Sequence, residues 1–389
     1  VQRGGAITSA GEPALAAQLA AAIASSDGAP VDDLTHGFHT YPARMHPRLA
    51  RELIALSTRP GDVVIDPFCG SGTVLVEALV AGCRSYGVDL NPLALRIAEA
   101  HCALRDPAAC GRFEACLRAV ADASLARVQS RTRPRFSLER AEREFYEPHV
   151  LLELAGLFDE IAAVTHEADR RALMVVFSSL LVKFSRQRAD TSDELVDKRI
   201  RKGLVSEFFV RKGQELSLRW QALFESVPAP AYETQLRCGD ARRLRPLLGE
   251  HVRADLILSS PPYGGTYDYA HQHARRNAWF GFDVATWEAR EIGARRRLSA
   301  DARAAKRWDD ELLATLRALR PVLRDNGQLG LWLGDAELAG ERVAAHDQLA
   351  RLAPRAGFAL LASATQTRQD ARSGPPRGEH LLWLEPRAR

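Results

Sequence analysis

The chain reads as an α/β fold, a mostly parallel seven-stranded sheet interrupted by a large helical insertion. Three observations predict this. Strand–turn–helix units recur from Gly61 onward, the strand signal disappears between about Arg105 and Val227, and strands resume near Thr234. Strands alternating with helices at this spacing build βαβ units and hence a parallel sheet.

The elements follow in order. Residues 1–30 are rich in Ala, Gly and Ser and are expected to be loosely held. Within them, residues 13–25 suit a short surface helix better than a signal peptide, because Gln18 interrupts the apolar run and Glu12 precedes it. Residues 31–104 form the first half of the main domain, with strands at 62–65 and 84–88 and helices after each. Residues 105–233 are the insertion: Leu151, Leu152, Leu154, Leu157, Phe158 and Ile161 share one helical face, and 173–184 is nearly all apolar. Residues 234–389 return to the sheet, with strands at 234–238, 254–258, 328–333, 359–363 and 380–384.

Composition sets the outer limits. Of 389 residues, 46% are hydrophobic and 26% charged, which excludes disordered and collagen-like classes and implies a packed core. A net charge of +4 is too small to specify a partner, so local clustering of charge has to decide. The six cysteines are scattered without a C-x-x-C pair, as core residues in a reducing cytoplasm would be, not as a disulfide frame or zinc site. The longest apolar runs are too short to span a membrane.

Three motifs carry chemistry. Asp66-Pro67-Phe68-Cys69-Gly70-Ser71-Gly72-Thr73 follows a strand and opens a helix. Glycines there admit close approach of a ligand, and the helix start favours an anionic group. The missing Gly-Lys-Ser/Thr ending argues against a nucleoside triphosphate. Next, Asp89-Leu90-Asn91-Pro92 ends the second strand. An acid about 20 residues after the Gly turn is placed for ribose hydroxyls, and Asn91-Pro92 suits a helix cap and first turn. Third, Ser260-Pro261-Pro262-Tyr263 ends a buried strand with two residues that lack an N–H, leaving acceptors at the ligand-binding edge of the sheet. Each motif alone also has a plain structural reading: a packing turn, a helix cap, a strand stop.

Together, Asp-Pro-Phe-x-Gly-Ser-Gly-Thr, Asp-x-Asn-Pro and Ser-Pro-Pro-Tyr resemble the DNA amino-methyltransferases of the N4-cytosine/N6-adenine type. The resemblance covers roughly 36–104 and 234–385 and stops at the insertion. It implies a Rossmann-like class I methyltransferase fold, S-adenosylmethionine (SAM) as cofactor, and double-stranded DNA as substrate, with a cognate restriction nuclease as an associated partner. It further implies that Tyr41 and Pro42, within His39-Thr40-Tyr41-Pro42-Ala43-Arg44, close over the methionine end of SAM. Asp66, Phe68, Gly70, Ser71, Gly72, Thr73, Asp89, Leu90 and Asn91 would contact the cofactor, and Asp240 and Ala241 its adenine. Ser260, Pro261, Pro262 and Tyr263 would be catalytic, with Tyr263 stacking on a base rotated out of the duplex. Serine before Pro-Pro-Tyr tends to accompany cytosine N4 in that family. Adenine N6, an RNA base, or a catalytically silent SAM- or DNA-binding subunit are the alternatives.

Two basic stretches are candidates for nucleic-acid contact. One runs from Lys183 through Arg199, Arg201 and Lys202 to Arg211-Lys212. The other follows the Pro-Pro-Tyr loop with Arg275, Arg276 and Arg295-Arg296-Arg297, interleaved with Tyr267, Tyr269, Trp279 and Phe280. A solvated helix face is the plainer reading of both.

Overall fold

The computed structural model describes residues 4–190, 192, 194–299, 301–368 and 376–387. Ten strands occur among them: β1 (Ile7–Gly11), β2 (Val63–Asp66), β3 (Arg84–Asp89), β4 (Gln235–Cys238), β5 (Ala254–Ser259), β6 (Leu323–Gly334), β7 (Ala336–Leu338), β8 (Glu341–Val343), β9 (Phe358–Arg368) and β10 (Arg377–Pro386). Eight form one sheet in the order β1-β9-β10-β6-β5-β2-β3-β4, while β7 and β8 pair as a separate ribbon. Strands β6, β5, β2, β3 and β4 run parallel, and β10, β9 and β1 are added antiparallel at the other end. This is the Rossmann-like α/β order.

The expectation of a loosely held 1–30 is corrected. β1 pairs with β9 from Ile7↔Gln366 to Gly11↔Ala362, giving the sheet an eighth strand. The helix Pro13–Ser26 buries Leu19 and Ile23 with the helix Pro47–Ser57 on one face of the sheet. Alternation in Ile7-Thr8-Ser9-Ala10 is faint because its side chains are small, yet an edge strand needs only its backbone to pair.

The opposite sheet face is covered by helices Ala304–Leu319 and Ala345–Leu352, with Leu312, Leu316 and Leu349 in its core. The insertion folds as four longer helices, Pro107–Gln129, Pro148–Ala162, Glu167–Phe184 and Leu204–Ser226, packed around Phe113, Leu117, Phe177 and Trp220. Proline opens two of them, and Asp106 caps the first by accepting from Ala109 N at 2.7 Å. Within the described residues no helix is long and apolar enough to cross a membrane.

Chain direction determines where the site lies. After β2 the chain steps outward through β3 to β4, then returns to lay β5 on the other side of β2. A crevice forms where strand order reverses, at the carboxyl ends of β2 and β5.

Candidate active site

At that crevice the ends of β2 and β5 are joined by side chains: Ser259 Oγ donates to Asp66 Oδ1 at 2.6 Å. A cavity of about 850 Å³ opens above them. Tyr41, Pro42, Asp66, Phe68, Gly70, Ser71, Thr73, Asp89, Leu90, Asn91, Asp240, Ala241, Ser260 and Pro262 all line it, so the three motifs meet in one place.

The Gly turn explains part of this. Gly70 (φ 49°) and Gly72 (φ 89°) are left-handed, a conformation costly for other residues. A Cβ on Gly70 would come within 3.1 Å of the Tyr41 ring, so the missing side chain lets Tyr41 lie over the turn. Gly72 does not line the cavity. It faces Ala98 on the helix Pro92–His101, where a Cβ would sit 3.1 Å from the Ala98 methyl, so its role is close packing.

Asp89 holds the turn: Oδ2 accepts from Gly70 N at 2.9 Å and Oδ1 from Asn91 N at 2.8 Å. Each oxygen keeps a lone pair for a ligand. Burial pushes the Asp89 carboxyl up to about 6 and Asp66 to about 7, against hydrogen bonds that pull each down. Asp240 differs. Burial raises it, but Arg242 outweighs that through its guanidinium and backbone N–H, and the carboxyl lies below its ordinary value.

Two buried polar atoms of lining residues have no hydrogen-bond partner among the described residues, Ser71 Oγ and Asn91 Nδ2. A buried polar group left unpaired is costly, so a polar ligand is the natural occupant.

The far wall was not read from the sequence. Trp287, Arg290, Glu291 and Ile292 line the cavity, contributed by the short helix Val284–Glu288 and the turn after it. Trp287 Nε1 is another buried donor without a partner among the described residues. Glu291 Oε1 accepts from Tyr269 N at 2.8 Å, and burial raises its carboxyl to about 7. Tyr269 stacks on Tyr41 with ring centroids 6.2 Å apart, and His273 on the same ring at 5.0 Å. The segment has no helical or strand period long enough to mark it, and its lone Trp and Glu sit in no motif.

Two catalytic assignments are displaced. Pro261 does not line the cavity, and the Tyr263 ring packs against Gly334 at the end of β6, where a Cβ would approach it to 2.6 Å. Its hydroxyl donates to Glu379 Oε1 at 3.4 Å. The aromatic side chains on the cavity wall are therefore Tyr41, Phe68, Tyr269 and Trp287 rather than Tyr263.

The second basic stretch is corrected as well. Arg276 is 2% exposed and ion-paired with Asp190 of the insertion. Arg275 pairs with Glu142 at 2.9 Å and covers the Phe145 ring. Trp279 is fully buried and donates to Tyr146 Oη at 3.0 Å. The helix Ala274–Phe280 thus serves as a dock for the insertion. Arg295, Arg296 and Arg297 are more open, but each is paired, with Asp268, Glu288 and Glu311. In the insertion Arg201 forms a twofold bond with Glu207 at 2.7 and 2.6 Å, while Arg199 is exposed.

Comparison with known proteins bears on the first motif-bearing stretch. Residues 24–100 match a family model described as DNA methylase, of the N6/N4 type. The chain is 46% identical over 71 residues to the Type II methyltransferase M.MvaI of Kocuria varians, covering 18% of this chain and 16% of that protein. It is 41% identical over 64 residues to the Type II methyltransferase M.MjaII of Methanocaldococcus jannaschii, covering 16% and 12%. A tRNA (guanine(10)-N2)-dimethyltransferase of Methanothermobacter thermautotrophicus is 46% identical over 52 residues, 13% and 16% of the two chains. The likeness therefore spans under a fifth of each relative. The matched stretch, residues 24–100, is similar to DNA methylases of the N6/N4 type, and it carries the first two of the three motifs that meet at the switch point.

Proposed function

We propose that the chain methylates the exocyclic amine of a base in double-stranded DNA, with cytosine N4 as the acceptor. The carrying observation is that the Ser260 loop opens into the same cavity as the Asp89–Gly70 turn, across the Ser259–Asp66 bond. The cofactor is SAM, and the residues fit it. Carboxyls of Asp66, Asp89 and Glu291 face a cavity suited to a cationic ligand, and Ser71 Oγ and Asn91 Nδ2 await polar partners. When bound, it supplies an electrophilic methyl on a sulfonium.

The protein's part is binding and orientation. Asp89 would accept from the ribose hydroxyls with its remaining lone pairs. Tyr41, lying over Gly70, covers the cofactor turn, and the Tyr41–Tyr269 stack excludes water from the adjoining wall. Ser260 Oγ and the neighbouring loop carbonyls accept the hydrogens of the target amine, drawing its lone pair out of conjugation with the ring. Pro261 and Pro262 offer no N–H to compete for those acceptors. No covalent intermediate on the protein is required.

A serine hydroxyl both donates and accepts, so it can hold an amine hydrogen while giving its own proton to cytosine N3. The test is mass spectrometry of nucleosides from DNA incubated with the protein and SAM. N4-methylcytosine is expected, with loss of product in Ser260→Ala. N6-methyladenine as sole product overturns the base assignment. The matched stretch of the tRNA dimethyltransferase favours an RNA base as the second reading, and product on structured RNA alone would establish it.

A further inference from the structure

On the other side of the segment that carries Tyr41 lies a second cleft, of about 1200 Å³, between residues 37–42 and the insertion helices Glu167–Phe184 and Leu204–Ser226. Pro42 forms a wall of both cavities. Most cations near this cleft are already engaged. Arg276 pairs with Asp190, and Lys212 with Glu215 and the Phe38 carbonyl. Lys198 donates to the Val182 and Lys183 carbonyls at the end of the helix Glu167–Phe184 and to the Gln187 carbonyl just beyond it.

Lys183 and Arg211 are the exceptions. Both line the cleft, both are exposed, and among the described residues neither has a carboxylate partner. They come from different helices and converge on the ring of Phe208, with Lys183 Nζ 4.6 Å and the Arg211 guanidinium carbon 3.8 Å from its centroid. Phe208 is itself held edge-on against Phe184 at 5.4 Å. An aromatic face fixes a cation in place without cancelling its formal charge. The cleft therefore presents two preorganised positive charges, 28 positions apart in sequence but adjacent in space, and among the described residues the one carboxylate on its wall, Asp190, is already paired. That is the arrangement a run of phosphates matches, and it lies one wall away from the site of methyl transfer.

We propose that this cleft grips the phosphate backbone of the DNA strand beside the base presented to the Ser260 loop, through Lys183 and Arg211. The inference rests on the methyltransferase reading and adds the place where the substrate strand is held. A strand seated there would run along the residue 37–42 segment, so its grip and the closure of Tyr41 over the cofactor turn share one piece of chain.

The experiment uses the full chain with a non-reactive SAM analogue and a fluorescently labelled duplex of mixed sequence. Binding is followed by anisotropy over a range of salt concentrations, for the wild type, the double variant Lys183→Gln/Arg211→Gln, and a charge-matched control, Arg118→Gln/Arg140→Gln, on exposed helix positions elsewhere. The double variant is expected to bind the duplex at least ten times more weakly. Its log–log salt slope should fall by about two, since each lost phosphate contact removes about 0.9, while analogue affinity and melting temperature stay at wild-type values. A double variant that matches the control in affinity and slope overturns the cleft. Displacement of the duplex by millimolar inorganic phosphate overturns it too, in favour of a small-anion site. Nucleoside analysis of the wild-type reaction is run alongside. Absence of any methylated base in DNA overturns the reading of DNA as the methyl acceptor, whatever the variants do.

Discussion

Asp66, Asp89 and Glu291 all face the cofactor cavity and are all raised by burial, to about 7, 6 and 7. A cation binds their ionised forms, so SAM affinity should climb as pH rises through 6 to 7 and level off above. Binding should release protons in that window, because the incoming charge pulls the carboxyls back toward their ordinary range. Calorimetry in two buffers of different ionisation enthalpy measures the release, and pH-independent affinity would refute the prediction. The same shifts act on folding. A raised carboxyl stabilises the folded state most below about pH 4, and that contribution is lost as pH rises through 6 to 7. Asp66→Asn, which keeps an acceptor for Ser259, should flatten this part of the stability profile. Trp287 offers a second handle at this scale. Its indole lines the cavity and its N–H has no partner among the described residues, so its fluorescence should change on SAM addition, and Trp287→Phe should abolish the change while weakening binding several-fold. An unaltered signal in the variant would remove Trp287 from the cofactor wall.

Among elements, the joint between the insertion and the catalytic domain stands out. The helix Ala274–Phe280 enters the insertion core through Trp279, which meets Phe136 and Phe177, and through the Arg276–Asp190 pair. His39 Nε2, two residues before Tyr41, reaches Ser178 Oγ of the insertion helix Glu167–Phe184 at 3.1 Å. Asp190→Asn leaves the Arg276 cation buried without its counter-charge and should cost about 3–5 kcal/mol, read by urea denaturation; Arg276→Met, which removes the charge as well, should cost less. Equal costs would mean the pair is not the source. This joint marks where sequence reading stopped. Asp66, Asp89 and Ser260 were legible because each sits in a short local motif at the end of one strand, and strand-end position fixes where a side chain goes. Arg275, Arg276 and Trp279 looked like a nucleic-acid surface because charge and aromaticity are visible in sequence, while the Glu142, Asp190 and Tyr146 that engage them lie some 85–135 positions earlier. Trp287 and Glu291 were invisible for a related reason: they line the cavity from a five-residue helix and a turn, elements too short to leave a period.

For the molecule as a whole, the outer face of β9 is covered by β1, which supplies the last hydrogen-bonded row of the sheet. Deleting residues 1–12 should bare that row, lower the melting temperature and produce concentration-dependent light scattering, as unpaired strand edges recruit other chains. A deletion variant that melts as the full chain does and stays monomeric would show that β1 is dispensable. The pairing also imposes a timetable on synthesis. Gly11 is polymerised about 350 residues before its partner Ala362 exists, which at about 5–20 residues per second is roughly 20–70 s. Of the strands in this sheet, β1 is made earliest and is among the last to find its place. Throughout that interval, neighbouring nascent chains on one messenger each carry the segment that, in the finished protein, shields β9 from such encounters.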